Sequence, residues 1–95
     1  MPDIKYKRVL LKVSGEALAG DKHRGLDFDI VNALCVSIKE CVDMGVQIGL
    51  VIGAGNFWRG VKDGADKMQR SHADAMGMLG TVMNAIAVAD ALEKH

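Results

Sequence analysis

The sequence lacks a net charge: Lys and Arg together number 12, and so do Asp and Glu. That balance excludes the broad basic field on which nucleic-acid binding relies, and no acidic tail argues for disorder. No unbroken apolar run is long enough to span a bilayer, and the opening Met1-Pro2-Asp3-Ile4-Lys5 has no apolar signal segment. Neither a membrane nor a nucleic acid is therefore expected as a partner, and the expected location is cytoplasmic. Cysteine is scarce. Cys35 and Cys41 are the only two, and within one helix their spacing does not stack them on a common face, so no disulfide is expected between them. Cys35 reads as a small core residue and Cys41 as a partly buried thiol. His23, His72 and His95 are scattered, so no clustered Cys/His metal site is expected. At 95 residues the chain is at most one domain with a modest core.

What is present is an apolar strand that runs into glycines: Val51-Ile52-Gly53-Ala54-Gly55-Asn56-Phe57-Trp58-Arg59-Gly60. No side chain larger than a methyl intervenes between Ile52 and Asn56, so backbone N–H groups can approach a ligand closely. This is the pattern of a phosphate cradle, with Arg59 as the candidate for a rigid donor fork beside it. A glycine turn after a strand also occurs where nothing binds. The second such turn, Lys12-Val13-Ser14-Gly15-Glu16-Ala17-Leu18 after the strand Val9 to Val13, favours a site. In a parallel sheet two such strand ends lie side by side, where open α/β sheets bind ligands.

The order of elements reads strand, helix, strand, loop, helix. The run Val9-Leu10-Leu11 predicts a strand buried on both faces and central in its sheet. Residues 19–27 hold turn formers and charges and predict a mobile surface loop. From Asp29 the spacing of Val31, Leu34, Cys35, Ile38 and Val42 predicts an amphipathic helix, capped by Asp27 or Asp29 and ended by Gly45. Val46 to Ile52 is the second strand, completing a β-α-β unit. Residues 60–70 predict a loop with one helical turn. Ser71 to Glu93 predicts a long helix, apolar nearly all round and therefore buried or packed against another subunit. Asp74, Gly77, Thr81 and Asn84 form a small and polar stripe along it. The stripe suits a ligand or close helix packing, and Asp74 suits ribose hydroxyls or the helix dipole.

With Lys12 to Leu18, Val51 to Gly60, and Asp74-Ala75-Met76-Gly77-Met78-Leu79-Gly80-Thr81-Val82-Met83-Asn84 in hand, the chain resembles the bacterial uridylate (UMP) kinases of the amino-acid kinase superfamily. The strand-end lysine and glycine turn are shared with carbamate, acetylglutamate, glutamate and aspartate kinases. The Ser-Gly-Glu-Ala-Leu string and the Met-Gly-Met-Leu helix single out the uridylate branch. The resemblance implies a three-layer α/β/α fold around a mostly parallel sheet, with residues 1–95 as the N-terminal β-α-β-loop-α portion of a single domain. It implies transfer of the γ-phosphoryl group of Mg-ATP to UMP, giving UDP and ADP. Lys12, Val13, Ser14 and Gly15 match the ATP-phosphate segment, and Gly55 and Arg59 match ATP-contacting positions. Gly53 and Ala54 belong to the UMP-facing turn, and Asp74 matches the carboxylate that holds UMP. Lys12 and Arg59 are the residues expected to carry catalysis, by neutralising charge on the transferring group. Gly20, Asp21, Lys22, His23, Arg24 and Gly25 match a segment tied to activation by GTP. Family members are hexamers inhibited by UTP, with Mg2+ bound along with the nucleotide.

Two departures stand out. Ala54 places a methyl where the family commonly has glycine, which predicts crowding at the acceptor and weaker acceptor affinity. The chain is also less than half the family length, so the remainder of the site is expected elsewhere and the 95 residues alone are expected to be inactive. The alternatives are another enzyme of the superfamily acting on a carboxylate or carbamate, and a non-catalytic nucleotide-binding module.

Overall fold

The structure is a computed structural model that describes residues 5–59 and 64–95. The first strand, β1 (Arg8–Val13), leads into a short helix, α1 (Gly15–Ala19), and a 3-10 turn, Gly20–Lys22. Helix α2 (Phe28–Asp43) crosses to strand β2 (Gln47–Ile52), and after a 3-10 turn at Ala65–Lys67 the long helix α3 (Arg70–Glu93) follows. The strands pair in parallel, from Arg8 opposite Gln47 to Val13 opposite Ile52. Residues 60–63 of the expected 60–70 loop, Gly60 of the glycine segment among them, lie outside the described residues; the 3-10 turn falls within the remainder.

Local chemistry explains the helix ends. The Asp27 carboxylate accepts from the Asp29 N–H at 3.0 Å, satisfying one of the donors a helix start leaves unpaired. At the other end Met44 caps α2 and Gly45 follows at φ 97°, where a side chain would be strained. Val31, Cys35 and Ile38 form the buried face of α2 between these ends, at the spacings one helical stripe requires.

The core joins every layer. Leu18 of α1, Val31 and Cys35 of α2, Ile52 of β2, and Val88 and Ala91 of α3 are buried together, with Val13, Leu26, Leu34, Leu50 and Leu92 packed around them. The strand residues in this set alternate, so all three helices cover one face of the sheet. On the other face Leu10 is 73% exposed and Val51 46%. Burial of β1 on both faces is therefore not observed, and in a two-stranded sheet β1 is an edge rather than a central strand. Two of the three expected layers are present. The radius of gyration, 15.4 Å, exceeds the roughly 12 Å of a compact domain of this length. Helix α3, 24 residues long, accounts for the elongation.

Two further expectations change. The segment after β1 contains α1 and a 3-10 turn rather than an open loop, because Ser14 Oγ accepts from Ala17 N–H at 3.1 Å and starts a helical turn. Helix α3 is buried along one face only, Ala73, Gly80, Asn84, Val88 and Ala91, while Met78, Leu79, Val82, Met83 and Ile86 are all more than half exposed, so of the two expected alternatives burial within this chain is not observed. It is also long and apolar enough to cross a membrane by length and composition, although charged and polar residues interrupt its apolar run. Its packing is that of a helix laid against a sheet and a polar turn.

Both cysteines are free, as their spacing implies, but Cys41 is exposed rather than partly buried. Cys35 donates its thiol hydrogen toward Val88 O at 3.8 Å, and burial pushes its pKa up. At mildly alkaline pH a thiol reagent should modify Cys41 in the native chain and reach Cys35 only after denaturant is added. Mass-spectrometric counting of labelled thiols checks this, and equal labelling of both would contradict the packing of α2 on α3.

Candidate phosphate-facing site

The parallel register places the ends of β1 and β2 side by side, and each strand continues into its glycine turn. Gly53 N–H donates to Val13 O at 3.0 Å, carrying the ladder one step past the last strand residue. Gly53 therefore offers no bare N–H, contrary to the expectation for the whole glycine run. Among the described residues no backbone hydrogen bond takes up the N–H of Ala54, Gly55 or Asn56, which leaves these three as the donors of the turn.

The two turns touch backbone to backbone. A Cβ on Gly15 would lie 2.6 Å from Asn56 Oδ1 and 2.7 Å from both Gly53 O and Gly55 N, so no other residue fits there without displacing the turn. Gly53 and Gly55 do not adopt positive φ. A Cβ on Gly55 would meet only the Glu16 side chain, Oε1 at 2.7 Å, which is mostly exposed and can move aside, so Gly55 is less tightly constrained than Gly15.

Beneath the turn lies a buried pair of amides. Asn56 and Asn84 are 1% and 0% exposed. Asn84 Nδ2 donates to Gly53 O at 2.8 Å and to Asn56 Oδ1 at 2.8 Å. Asn56 Nδ2 donates to Asn84 Oδ1 at 3.0 Å and to Gly25 O at 2.7 Å. All four amide N–H donors are thus used, which removes the cost of burying them. The sequence placed Asn56 at the end of the glycine run and Asn84 on a stripe whose polar members can bond backbone carbonyls, which Asn84 does at Gly53, but it did not pair the two. The available signal was that an Asn inside an otherwise apolar or glycine-rich surrounding must find partners.

The other candidate residues divide. Lys12 is exposed on the open face of the sheet, opposite Val51, and no carboxylate among the described residues pairs with it. Ser14 is committed to capping α1. Arg59 braces the turn: its Nε donates to Gly55 O at 2.8 Å, and its guanidinium lies 3.5 Å from His23 O and 3.9 Å from a Glu16 carboxylate oxygen. Asp74 is exposed on α3 and faces Arg70 at 3.7 Å, whose side chain is itself solvent-exposed. It stands apart from the buried stripe that holds Asn84. The segment from Gly20 to Gly25, expected as a free surface loop, is tied to the glycine turn by Gly25 N–H donating to Asn56 O at 3.0 Å and by the Asn56 and Arg59 bonds.

Ala54 does not crowd a ligand-facing surface through its backbone. Its φ is negative, and its methyl lies against α3, 3.0 Å from where a Cβ on Gly80 would stand. A largely apolar groove of about 340 Å³, lined by Tyr6, Val9, Leu11, Cys41, Met44 and Ile48 with Lys5 at its edge, lies toward the opposite end of the strands from the glycine turns.

Residues 7–95 match the amino acid kinase family. The chain belongs to that family. It is 54% identical over 93 residues to the uridylate kinase of Limosilactobacillus reuteri (strain DSM 20016), an alignment that covers 98% of this chain and 39% of that protein. In three dimensions it resembles the UMP kinase of Bacillus anthracis, with a TM-score of 0.84 and 35% identity over 94% of this chain and 36% of that one. The UMP kinase of Ureaplasma parvum gives a TM-score of 0.83 at 32% identity, over 96% of this chain and 40% of that one. The chain thus spans about two fifths of the length of these relatives, and the sheet and its helices form a partial α/β amino-acid-kinase fold.

Two substitutions test the packing of this family member. Gly15→Ala should cost about 1–3 kcal/mol, as overpacking does, read from urea unfolding. Ala54→Gly should cost about 0.4–1 kcal/mol through added freedom of the unfolded chain. If the methyl instead strained the turn, Ala54→Gly would raise the unfolding midpoint.

Proposed function

We propose that this chain supplies the N-terminal half of a UMP kinase site, which transfers the γ-phosphoryl group of Mg-ATP to UMP and yields UDP and ADP for pyrimidine nucleotide supply. The observation that carries the proposal is the contact of two glycine turns at adjacent parallel strand ends, with Lys12 beside them. The identity to a uridylate kinase supports the choice of acceptor.

Phosphoryl transfer asks the protein mainly to align two nucleotides and neutralise charge, since the acceptor phosphate is already a nucleophile near neutral pH. Lys12 is the mobile point charge for the donor phosphates, next to Val13, Ser14 and Gly15. Ala54 and Gly55 hold oxygens with N–H groups that need no reorganisation. Asp74 accepts from the hydroxyls of UMP. Arg59 holds the turn through Nε and keeps its terminal nitrogens near the phosphate side. Mg2+ bound with the nucleotide would supply further shielding of its phosphate charge beside Lys12.

In this reading the full enzyme is a cytoplasmic homohexamer, with GTP and UTP as effectors and Gly20 to Gly25 as the segment that senses GTP. The ties from Gly25 and His23 to Asn56 and Arg59 give that segment a direct mechanical link to the turn.

The test is phosphoryl transfer from Mg-ATP to UMP, CMP and glutamate by this chain mixed with the C-terminal remainder of a uridylate kinase. Transfer to UMP alone is expected, reduced roughly 100-fold or more in Lys12→Ala. Transfer to glutamate would select the carboxylate-kinase alternative, and nucleotide binding without transfer by a folded mixture would select the non-catalytic module.

A further inference from the structure

We infer that Asn84, with Asn56 as its partner, is the positioning residue that aims the phosphate-facing amide of Ala54. The inference rests on the nucleotide reading above and adds to it a residue that touches no ligand.

The geometry is direct. Gly53 and Ala54 share a trans peptide, since the described chain contains no cis bond, and in a planar trans peptide the C=O and the following N–H point in opposite directions. Asn84 Nδ2 holds Gly53 O from the α3 side at 2.8 Å. The Ala54 N–H therefore points away from Asn84. Gly53 N–H is bound to Val13 O on the neighbouring strand, so the peptide planes on both sides of Gly53 are set. Rotation of the Gly53–Ala54 peptide would break the bond from Asn84 and turn a carbonyl oxygen toward the position of an anion.

The holder is itself held. Asn84 Oδ1 accepts from Asn56 Nδ2, and the second Nδ2 hydrogen of Asn84 goes to Asn56 Oδ1. An amide gripped on both its atoms cannot flip to offer Oδ1 to Gly53 O. Asn56 completes the arrangement by bonding Gly25 O, so the aim of the Ala54 amide is set jointly by α3 and the segment before α2. No simple packing role requires this: Val88, one turn along the same buried face, fills the core without any polar contact from its side chain.

The test uses the labelled chain, mixed with the C-terminal remainder of a uridylate kinase as above, and backbone NMR. In Asn84→Ala, the Gly53 carbonyl and Ala54 amide shifts should change without any ligand, because the bond to Gly53 O is gone. UMP should shift the Ala54 and Gly55 amides of the unmodified chain, and Asn84→Ala should weaken its affinity roughly tenfold, as loss of one well-placed bond does. Val88→Ala, which removes packing from the same face, should weaken it by less than about twofold. Equal weakening in the two variants, or unchanged Gly53 and Ala54 shifts in Asn84→Ala, would overturn the positioning role while leaving the nucleotide reading in place. Absence of any UMP response in the unmodified chain would remove the nucleotide reading and this inference with it. Should Asn84→Ala fail to fold, Asn84→Asp keeps the shape and the acceptor for Asn56. Its protonated form can donate again, so UMP affinity should recover as pH falls, relative to the unmodified chain. A flat ratio would overturn the inference.

Discussion

The contact of Gly15 with the Gly53–Gly55 turn is the constraint on which the rest of the arrangement depends. Two strands in parallel register end side by side in many α/β folds, but their following turns meet only if no Cβ stands between them. Here three backbone or amide atoms lie within 2.7 Å of where the Gly15 Cβ would be. The one-step extension of the ladder from Gly53 N–H to Val13 O follows from that approach. So does the place of Asn56, which can reach both α3 and Gly25 only from a turn seated this low.

The cations near this contact do different work for a physical reason. Arg59 has a planar fork with several donors, and it is half-buried and bonded to the carbonyl of Gly55. Lys12 carries a compact charge on a flexible stem and lies on the open face of the sheet. A braced guanidinium suits fixing the shape of a turn, and a mobile ammonium suits following a charge that moves during transfer. The buried amides beneath them carry no charge, which lets them be removed from water without the desolvation penalty of an ion pair.

The same chain leaves much apolar surface uncovered. Leu10 and Val51 are exposed on the outer face of the sheet, and Met78, Leu79, Val82, Met83 and Ile86 on the outer face of α3. Patches of this kind ordinarily mark contacts with further protein, and the chain spans only about two fifths of the relatives it resembles. The core that is present is correspondingly small, built from six fully joined residues and their neighbours.

The strands, α2 and α3 were legible from the sequence because periodicity and caps are local: Asp27, Gly45 and the spacing of Val31, Cys35 and Ile38 act within a few residues of one another. The glycine turns were legible as candidates for the same reason. Helix α1 was missed because five residues give too few turns for a period, and only the Ser14 cap marks it. Which apolar residues of β1 and α3 stay exposed was not legible, since an apolar residue declares a preference for burial but not whether a partner surface is there to bury it. The roles within the site were also beyond the sequence. That Gly53 gives its N–H to Val13, that Ala54 turns its methyl to Gly80, and that Asn56 and Asn84 lock together all depend on contacts between residues far apart in the chain. Sequence determined which backbone shapes were allowed; tertiary packing alone decided which donors were used up inside and which were left to face a ligand.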